Sequence, residues 1–363
     1  MPLPSLILPP LLAFALTAGL YALALRFFPR LGLLDFPGRY GLSRPRIPYP
    51  TGIIAIGSFL IAFLTVEPLD QGRIGLLIGV ILLGFFCFLD DRRPLPPLSR
   101  IVVQIAVALI LFATGARIYS LTNPLAGIIG GEVIPLDTHT LTLPFFGPLS
   151  VIGAVFTVLW LGLTINALNW FDGIPGQVSL LSMIAFLTIG FLSLSSRVDD
   201  PALARLAFIL AGIGAATFLF DIPPPRMLIG DSGAMLFGLL IGTLTVFSGK
   251  GKVATAFLVL GVPLTDSIIV SVRRLMRGRS PLRGSQHGEH LHHRLLERGW
   301  SERQVIALTA GIGTMFGMTA LFLSTVQKFV AGVILFFLIL CLTVLAGKNR
   351  KPETGNRKNS GDQ

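Results

Sequence analysis

Two adjacent carboxylates, Asp90 and Asp91, end an apolar run of sixteen residues, 74–89, that carries no charge. Charges at such a place in a membrane segment are costly, and their default explanation is function. Adjacent carboxylates repel each other and favour a cation beside them, and oxygen ligands suit a hard ion such as Mg²⁺. The pair predicts a base and a metal- or phosphate-positioning group, with Arg100 as a clamp for an anion. The alternative is a helix end solvated among lipid headgroups.

A second polar set lies at the end of a later apolar run, where Asn166, Asn169 and Asp172 are spaced three residues apart. On a helix this spacing places all three side chains along one face, and Gly173 and Pro175 then break the helix. Such a face can ligate a metal or bind a sugar nucleotide. A C-terminal helix cap is the alternative, but a cap explains one polar side chain rather than three in register.

Two further carboxylates lie at or within apolar runs. Asp231 stands where a helix would begin, so it is either a plain N-cap or a metal-binding carboxylate beside a helix end that attracts phosphate. Asp266 lies inside an apolar run, and we interpret it as a structural or supporting group that faces the bundle interior or water.

Four of the five histidines lie together in the most basic loop, at His287, His290, His292 and His293. Imidazoles and guanidinium groups together favour the binding of a sugar-nucleotide diphosphate. A zinc site is an alternative, although Glu289 is the only other ligand type nearby and no Cys accompanies it. A solvated basic loop on anionic lipid is the third interpretation.

The composition places these residues in a membrane. The chain has 363 residues, of which 53% are hydrophobic and 13% charged, and its mean hydropathy is +0.78. Soluble domains rarely have this balance, and apolar runs of about 20 residues, enough to cross a bilayer, recur along the chain. The pattern predicts an all-α polytopic membrane protein with about eleven transmembrane helices, near residues 5–27, 51–66, 74–90, 101–118, 149–168, 177–196, 202–220, 231–248, 253–272, 304–326 and 329–346.

The distribution of positive charge predicts the orientation. With the N-terminus outside, 22 of the 29 Lys and Arg residues fall on the inner side, as the positive-inside rule requires. The C-terminus is then cytoplasmic, and all four polar blocks lie on the cytoplasmic face. The net charge of +11 is explained by this topology, and we expect no nucleic acid partner. A short external hairpin is expected near 129–146. Residues 1–346 are expected to form one domain, and 347–363 a basic, disordered tail.

The four blocks, in this order and on one side, resemble the polyprenyl-phosphate N-acetylhexosamine-1-phosphate transferase family, also called glycosyltransferase family 4. The histidine block is similar to that of the WecA-like branch rather than to the related phospho-N-acetylmuramoyl-pentapeptide transferases. The resemblance covers about residues 31–300. The positions that match the family's motifs are Asp90, Asp91, Leu95, Arg100, Gln104, Asn166, Asn169, Asp172, Gly173, Gly230, Asp231, Gly233, Gly238, His290, His292 and His293.

The resemblance implies a reaction at the inner face of the cell membrane. A polyprenyl phosphate, such as undecaprenyl phosphate, would take an N-acetylhexosamine-1-phosphate, most simply GlcNAc-1-phosphate, from a UDP-amino sugar and release UMP, with Mg²⁺ or Mn²⁺ as cofactor. Such a step initiates the synthesis of a cell-envelope glycan. The implied catalytic residues are Asp90, Asp91, Asp172 and Asp231. Asp231 and Asn169 would hold the metal. The implied substrate-binding residues are Arg100, Asn166, Asn169, His290, His292 and His293.

The sequence departs from the family at several positions. Pro175 stands where the family usually has Asp or Asn, a position that helps recognise the nucleobase, and Asp221 stands where Asn is usual. Two other hypotheses stay open: a transporter or lipid flippase that uses intramembrane acids, and a catalytically inactive family member, which Pro175 motivates. The oligomeric state, a homodimer included, is also left open by the sequence.

Overall fold

The fold is that of a computed structural model, which describes residues 4–40, 43–66, 69–123, 130–131, 133–247, 253–280 and 288–347. It is almost entirely helical, as predicted. The long helices are α1 (Pro4–Phe27), α2 (Gly52–Val66), α3 (Gln71–Arg92), α4 (Pro97–Thr114), α5 (Val151–Phe171), α6 (Gln177–Leu194), α7 (Pro201–Asp221), α8 (Gly230–Phe247), α10 (Gly261–Met276), α12 (Glu302–Phe322) and α13 (Thr325–Gly347). The short helices are α9 (Val253–Val259) and α11 (Leu291–Glu297), with a 3-10 turn at Pro37–Tyr40.

Nine helices of the described chain are long and apolar enough to cross a membrane. The protein is therefore a multi-pass membrane protein. Two of the eleven predicted spans differ from simple crossings. α2 has only 15 residues, about 22 Å at 1.5 Å per residue, which is shorter than the roughly 30 Å hydrocarbon layer. The span predicted at 253–272 is instead α9 and α10, which meet at an angle of 87°, so apolar composition alone could not show the bend.

α8 is the centre of the bundle, since 89% of its most apolar stretch is buried. Two glycines permit this close packing. A Cβ on Gly238 would lie 2.6 Å from the carbonyl oxygen of Thr164, and one on Gly242 would lie 2.5 Å from the Thr164 hydroxyl. α5 and α8 thus approach through small residues, as membrane helices do. Trp160 of α5 fixes the contact further, because its indole N–H donates to the Gly242 carbonyl at 3.2 Å.

The segment between α4 and α5 forms two antiparallel hairpins. β1 (Ser120–Thr122) pairs with β2 (Val133–Pro135), and β3 (Thr140–Leu143) pairs with β4 (Gly147–Ser150). The expected hairpin is confirmed as β structure and extends beyond 129–146 in both directions; residues 124–129 and 132 lie outside the described residues. The predicted tail also lies outside them from residue 348 onward, and the N-outside orientation remains a prediction.

The chain order brings four polar helix ends to one end of the bundle. α3 and α5 end there, and α4 and α8 begin there, as their ion pairs and hydrogen bonds show below. The opposite end of the bundle holds other helix caps, including the one at the start of α3. Asp70 accepts from the Arg73 N–H at 2.8 Å to begin α3, and Asp200 accepts from the Leu203 N–H at 3.0 Å to begin α7.

Candidate active site at the polar end of the bundle

Arg100 joins two of the predicted blocks. Its guanidinium donates to Asp90 Oδ2 at 2.7 Å and to Asp231 Oδ2 at 3.0 Å. Asp90 also accepts from the backbone N–H of Leu95 at 2.7 Å, which fixes the turn between α3 and α4. The Asp90 side chain is only 1% exposed, whereas those of Arg100 and Asp231 are each 31% exposed. One cation therefore holds two carboxylates from distant parts of the sequence at the mouth of the site.

Asp91 is held differently, because both of its carboxylate oxygens bind the start of α8. Oδ1 accepts from the Asp231 N–H at 2.9 Å and from the Tyr49 hydroxyl at 2.7 Å, and Oδ2 accepts from the Ser232 N–H at 3.0 Å. Asp91 is thus an N-terminal cap supplied by another helix, where a negative charge also meets the positive end of the helix dipole. This capping role was not predicted from the sequence.

Tyr49 reaches Asp91 because its loop is bound to the segment before α8. The Leu228 N–H donates to the Pro48 carbonyl at 3.0 Å, and the Thr51 N–H donates to the Leu228 carbonyl at 2.9 Å. A Cβ on Gly230 would lie 2.8 Å from the Tyr49 ring, so glycine is needed there, where φ is also +71°. Sequence reasoning missed Tyr49, since nothing in its loop indicated the pairing.

The end of α5 lies beside α4. The Asn166 amide donates to Gln104 Oε1 at 2.7 Å and to the Gly162 carbonyl at 2.8 Å, so both groups are fixed. One turn later, Asn169 Oδ1 is buried and has no hydrogen-bond partner among the described residues. A buried carbonyl oxygen without a partner is costly, and a ligand or ion is one explanation for it.

Asp172 caps the end of α5 and begins the turn to α6. Desolvation raises the pKa of its carboxyl well above its usual range, and the nearby carboxylates of Asp221, Asp231 and Asp91 raise it further. Asp221 is buried, and its Oδ2 accepts from the Gly176 N–H at 2.8 Å, which ties the turn to the end of α7. This concentration of negative charge favours a cation beside it.

The histidines lie against the same turn. His290 Nδ1 is 2.6 Å from Asp266 Oδ2, and the Leu291 N–H donates to Asp266 Oδ1 at 3.0 Å. Asp266 lies on α10, in the first turns after the bend, so the bend places it against α11. The carboxylate fixes the orientation of the His290 ring. The supporting role expected for Asp266 matches this contact, although the sequence did not name its partner.

His292 is packed between aromatic rings and the turn after α5. Its ring stacks on His290 with centroids 5.7 Å apart, lies 4.2 Å from that of His293, and meets Phe171 edge-on at 5.7 Å. A Cβ on Gly173 would lie 2.1 Å from His292 Nε2. The glycine therefore permits the imidazole to approach the backbone.

Arg274 and Glu289 form an ion pair next to this group, and the Arg274 guanidinium lies 5.8 Å from the centre of the Trp170 ring. Trp170 in turn lies 6.2 Å from the His290 ring. The structure thus connects the histidine block to the end of α5. His287 lies outside the described residues.

The contacts bring all the predicted site residues to one end of the bundle, in two linked groups. Asp90, Asp91, Arg100 and Asp231 form the first, and the end of α5 with the histidines forms the second. Within the described residues no three or more His, Cys, Asp or Glu side chains are arranged to hold a metal ion. The oxygen-rich donor set nevertheless fits a hard cation, since Asn169 Oδ1 is buried without a hydrogen-bond partner among the described residues and several carboxylates interact with Asp172 three residues later.

Such a site at the end of a polytopic bundle combines groups that suit phosphate binding, and comparison with known proteins agrees with a membrane enzyme. The family described as Glycosyl transferase family 4 matches residues 73–249. This match confirms the resemblance found from the motifs. The matched region contains the three carboxylate blocks; the histidines follow it.

Three relatives illustrate the similarity. A protein of Bacillus subtilis named probable undecaprenyl-phosphate N-acetylglucosaminyl 1-phosphate transferase is 24% identical over 87% of this chain and 84% of its own. The Escherichia coli K12 undecaprenyl-phosphate alpha-N-acetylglucosaminyl 1-phosphate transferase is 26% identical over 86% and 83%. A Mycobacterium leprae decaprenyl-phosphate N-acetylglucosaminephosphotransferase is 28% identical over 64% and 60%.

Proposed function

We propose that this protein transfers N-acetylglucosamine-1-phosphate from UDP-N-acetylglucosamine to a polyprenyl phosphate, with release of UMP. The names of its relatives support both the sugar phosphate and the lipid. The observation that carries the proposal is Arg100 bound between Asp90 and Asp231 at the mouth of the site. A guanidinium there can exchange a carboxylate for a phosphate oxygen, and its fork binds phosphate bidentately.

In the proposed reaction an oxygen of the lipid phosphate forms a bond to the sugar-linked phosphorus of the nucleotide. The bond from that phosphorus to the bridging oxygen breaks, and UMP leaves with this oxygen. A phosphate monoester is already largely ionised at neutral pH, because its second pKa is about 6. The nucleophile therefore needs little help from a base. The rate then depends on how the two phosphates are positioned and how well their negative charge is neutralised. A one-step displacement follows as our preferred mechanism.

The residues of the chain divide these tasks. Asp90 is almost fully buried, so we assign it to holding Arg100 and to any proton removal from the lipid phosphate. Arg100 binds the lipid or transferring phosphate. His290, held by Asp266, and the neighbouring His292 and His293 bind the sugar diphosphate. Asn166 is fixed by Gln104 and shapes the wall of the site.

The site fits a magnesium ion, and Mn²⁺ has the same preference for oxygen ligands. Asn169 and Asp231 would hold it, and Asp172 lies close enough to share its field. When bound, the ion would neutralise the charge of the diphosphate. We place the site on the cytoplasmic side of the inner membrane, since the positive-inside distribution of Lys and Arg puts this end there and UDP-sugars are soluble substrates.

The test is UMP release by the full-length protein in detergent micelles that contain undecaprenyl phosphate, with UDP-N-acetylglucosamine and Mg²⁺. We expect lipid-dependent release that is lost on addition of a chelator and in Asp231→Asn. The matched control is Asp70→Asn, which changes a helix-capping carboxylate at the opposite end of the bundle, and it should retain activity.

Two outcomes would contradict the proposal. Release of UMP that does not depend on the lipid phosphate would indicate a hydrolase. Tight binding of the nucleotide sugar without turnover, by protein that is folded, would support the inactive-member hypothesis, which Pro175 motivates. A parallel screen of UDP-GalNAc and other UDP-sugars tests whether GlcNAc is the sugar.

A further inference from the structure

A large cavity lies at the end of the bundle opposite the candidate active site. It has a volume of about 1040 Å³ and is lined by the segment after α4 with β1, the far ends of α6 and α8, α9, the turn between α12 and α13, and the first half of α13. α4 and α8 begin at the candidate active site and end at this cavity. Its volume is at the upper limit of ordinary ligand pockets, so it has room for a long molecule.

Three cations line the cavity: Arg117, Arg197 and Lys328. No Asp or Glu is among the described residues that line it, and none of the three is within 4.0 Å of a described carboxylate. Positive charges that line one cavity at the end of a membrane bundle, with no acidic partner among the described lining residues, favour an anionic ligand.

Among the described residues, the hydrogen-bond partners of these cations are neutral carbonyl and hydroxyl groups. They position the side chains but do not balance their positive charge. Arg117 donates to the carbonyls of Phe112 and Ala113 at 2.9 and 2.7 Å. Arg197 donates to the Leu323 carbonyl at 2.8 Å, at the end of α12. Lys328 donates to the Thr255 hydroxyl at 2.8 Å.

The three side chains come from separate segments of the chain that line the same cavity. Arg117 follows α4, Arg197 follows α6, and Lys328 begins α13. The Arg197 and Lys328 charges are close enough to interact electrostatically, and an anion between them would relieve this repulsion.

Much of the rest of the lining is apolar, and this part reaches the exposed surface of α13. Phe329, Val333 and Phe337 are 49%, 40% and 60% exposed and follow one another along α13 at helical spacing. Leu192 and Phe257 continue the apolar wall inside the bundle. The cavity thus combines a cationic end with an apolar wall that leads along the membrane-facing side of α13.

We propose that this cavity binds an anionic phospholipid from the leaflet opposite the candidate active site. Its phosphate lies among Arg117, Arg197 and Lys328, and an acyl chain lies along α13. The lipid substrate of the proposed reaction would present its phosphate at the other end of the bundle, so the occupant of this cavity is a separate lipid. The inference does not depend on the proposed activity.

The experiment is native mass spectrometry of the full-length protein, released from detergent with equal concentrations of phosphatidylglycerol and phosphatidylcholine that carry the same acyl chains. We expect wild-type protein to retain phosphatidylglycerol preferentially. The double variant Arg197→Gln/Lys328→Gln should weaken this retention at least about tenfold, since two charge-assisted contacts are lost. Arg73→Gln is the control, because it removes a cation at the same end of the bundle that is not among those lining the cavity.

Lys328→Arg and Lys328→Gln form a second pair that keeps the test decisive if the double variant does not fold. We expect the first to retain phosphatidylglycerol and the second to lose part of it. Equal retention of the two lipids by wild-type protein would overturn the proposal, as would an equal loss in Arg73→Gln. Stronger retention of undecaprenyl phosphate that the double variant abolishes would overturn the choice of a phospholipid. UMP release should be the same in wild type and all these variants, whatever its level.

Discussion

Asp91→Asn separates the catalytic role that the sequence predicts for Asp91 from the capping role that the structure shows. The carboxylate accepts from two N–H groups at the start of α8 and from the Tyr49 hydroxyl. An asparagine has one acceptor oxygen and one NH₂ group, so it must turn a donor towards one of these donors.

The cost can be worked out from these contacts. A hydrogen bond to a charged group contributes about 1.5–3 kcal/mol, and a charge at a helix N-terminus about 0.3–1 kcal/mol. We expect Asp91→Asn to lower the free energy of unfolding by about 2–4 kcal/mol in total. Tyr49→Phe removes one hydrogen bond to this charged group and leaves both N–H contacts and the charge at the helix end, so it should cost about 1.5–3 kcal/mol. Both variants should also reduce turnover, since a displacement of about 1 Å at Asp231 can cost about 100-fold.

The assay compares the apparent melting temperature of the two variants in a single detergent with their rates of UMP release. We expect the order wild type, Tyr49→Phe, Asp91→Asn in both measurements. An Asp91→Asn protein that melts like the wild type would refute the capping argument. If the same protein also lacks turnover while Tyr49→Phe is fully active, Asp91 acts directly on the substrate instead.

Two other substitutions probe the second group of residues. Gly173→Ala would place a methyl group 2.1 Å from His292 Nε2, so kcat/KM should fall about 100-fold. Gly162→Ala, on the helix α5 that precedes this turn, meets nothing within 4 Å and should be neutral. Asp266→Asn should raise the KM for the UDP-sugar about tenfold or more while leaving the KM for the lipid unchanged, because it releases the His290 ring. An equal change in both KM values would indicate general disruption of the fold.

The helices were predictable because a membrane segment must bury its backbone polar groups in a helix of known minimum length. Every predicted span is helical, and most boundaries differ by no more than three or four residues. Hydropathy did not show the bend between α9 and α10, because residues 256–264 are apolar through the break. The shortness of α2 was already contained in the predicted span 51–66, whereas the short helix α11 was hidden, because its seven residues give no hydropathy signal.

The residues that form the site could be predicted from the sequence better than the contacts between them. Spacing and residue type identified Asp90, Asn169 and Asp231 as members of one site. The sequence could not show that Arg100 bridges Asp90 to Asp231, because the contact depends on how α4 packs beside α8. It also treated Asp90 and Asp91 as a pair, although their side chains face different partners. Adjacent residues on a helix point about 100° apart, and this geometry separates them.

This separation bears on why the site contains so many carboxylates. Asp91 holds the start of α8, Asp221 holds the turn after α5, and Asp266 holds His290. Each of these carboxylates binds backbone N–H groups or an imidazole, and we do not assign any of them to contact with a ligand at the mouth of the site. Asp231, 31% exposed, and Asp172, at the turn after α5, remain the acids best placed to meet a ligand. A diphosphate brings further negative charge, so a site built from acids requires a cation to receive it, and Arg100 alone is already shared by two carboxylates. We therefore propose that a divalent ion supplies further positive charge there, and this is the physical reason to expect metal dependence in the UMP-release assay.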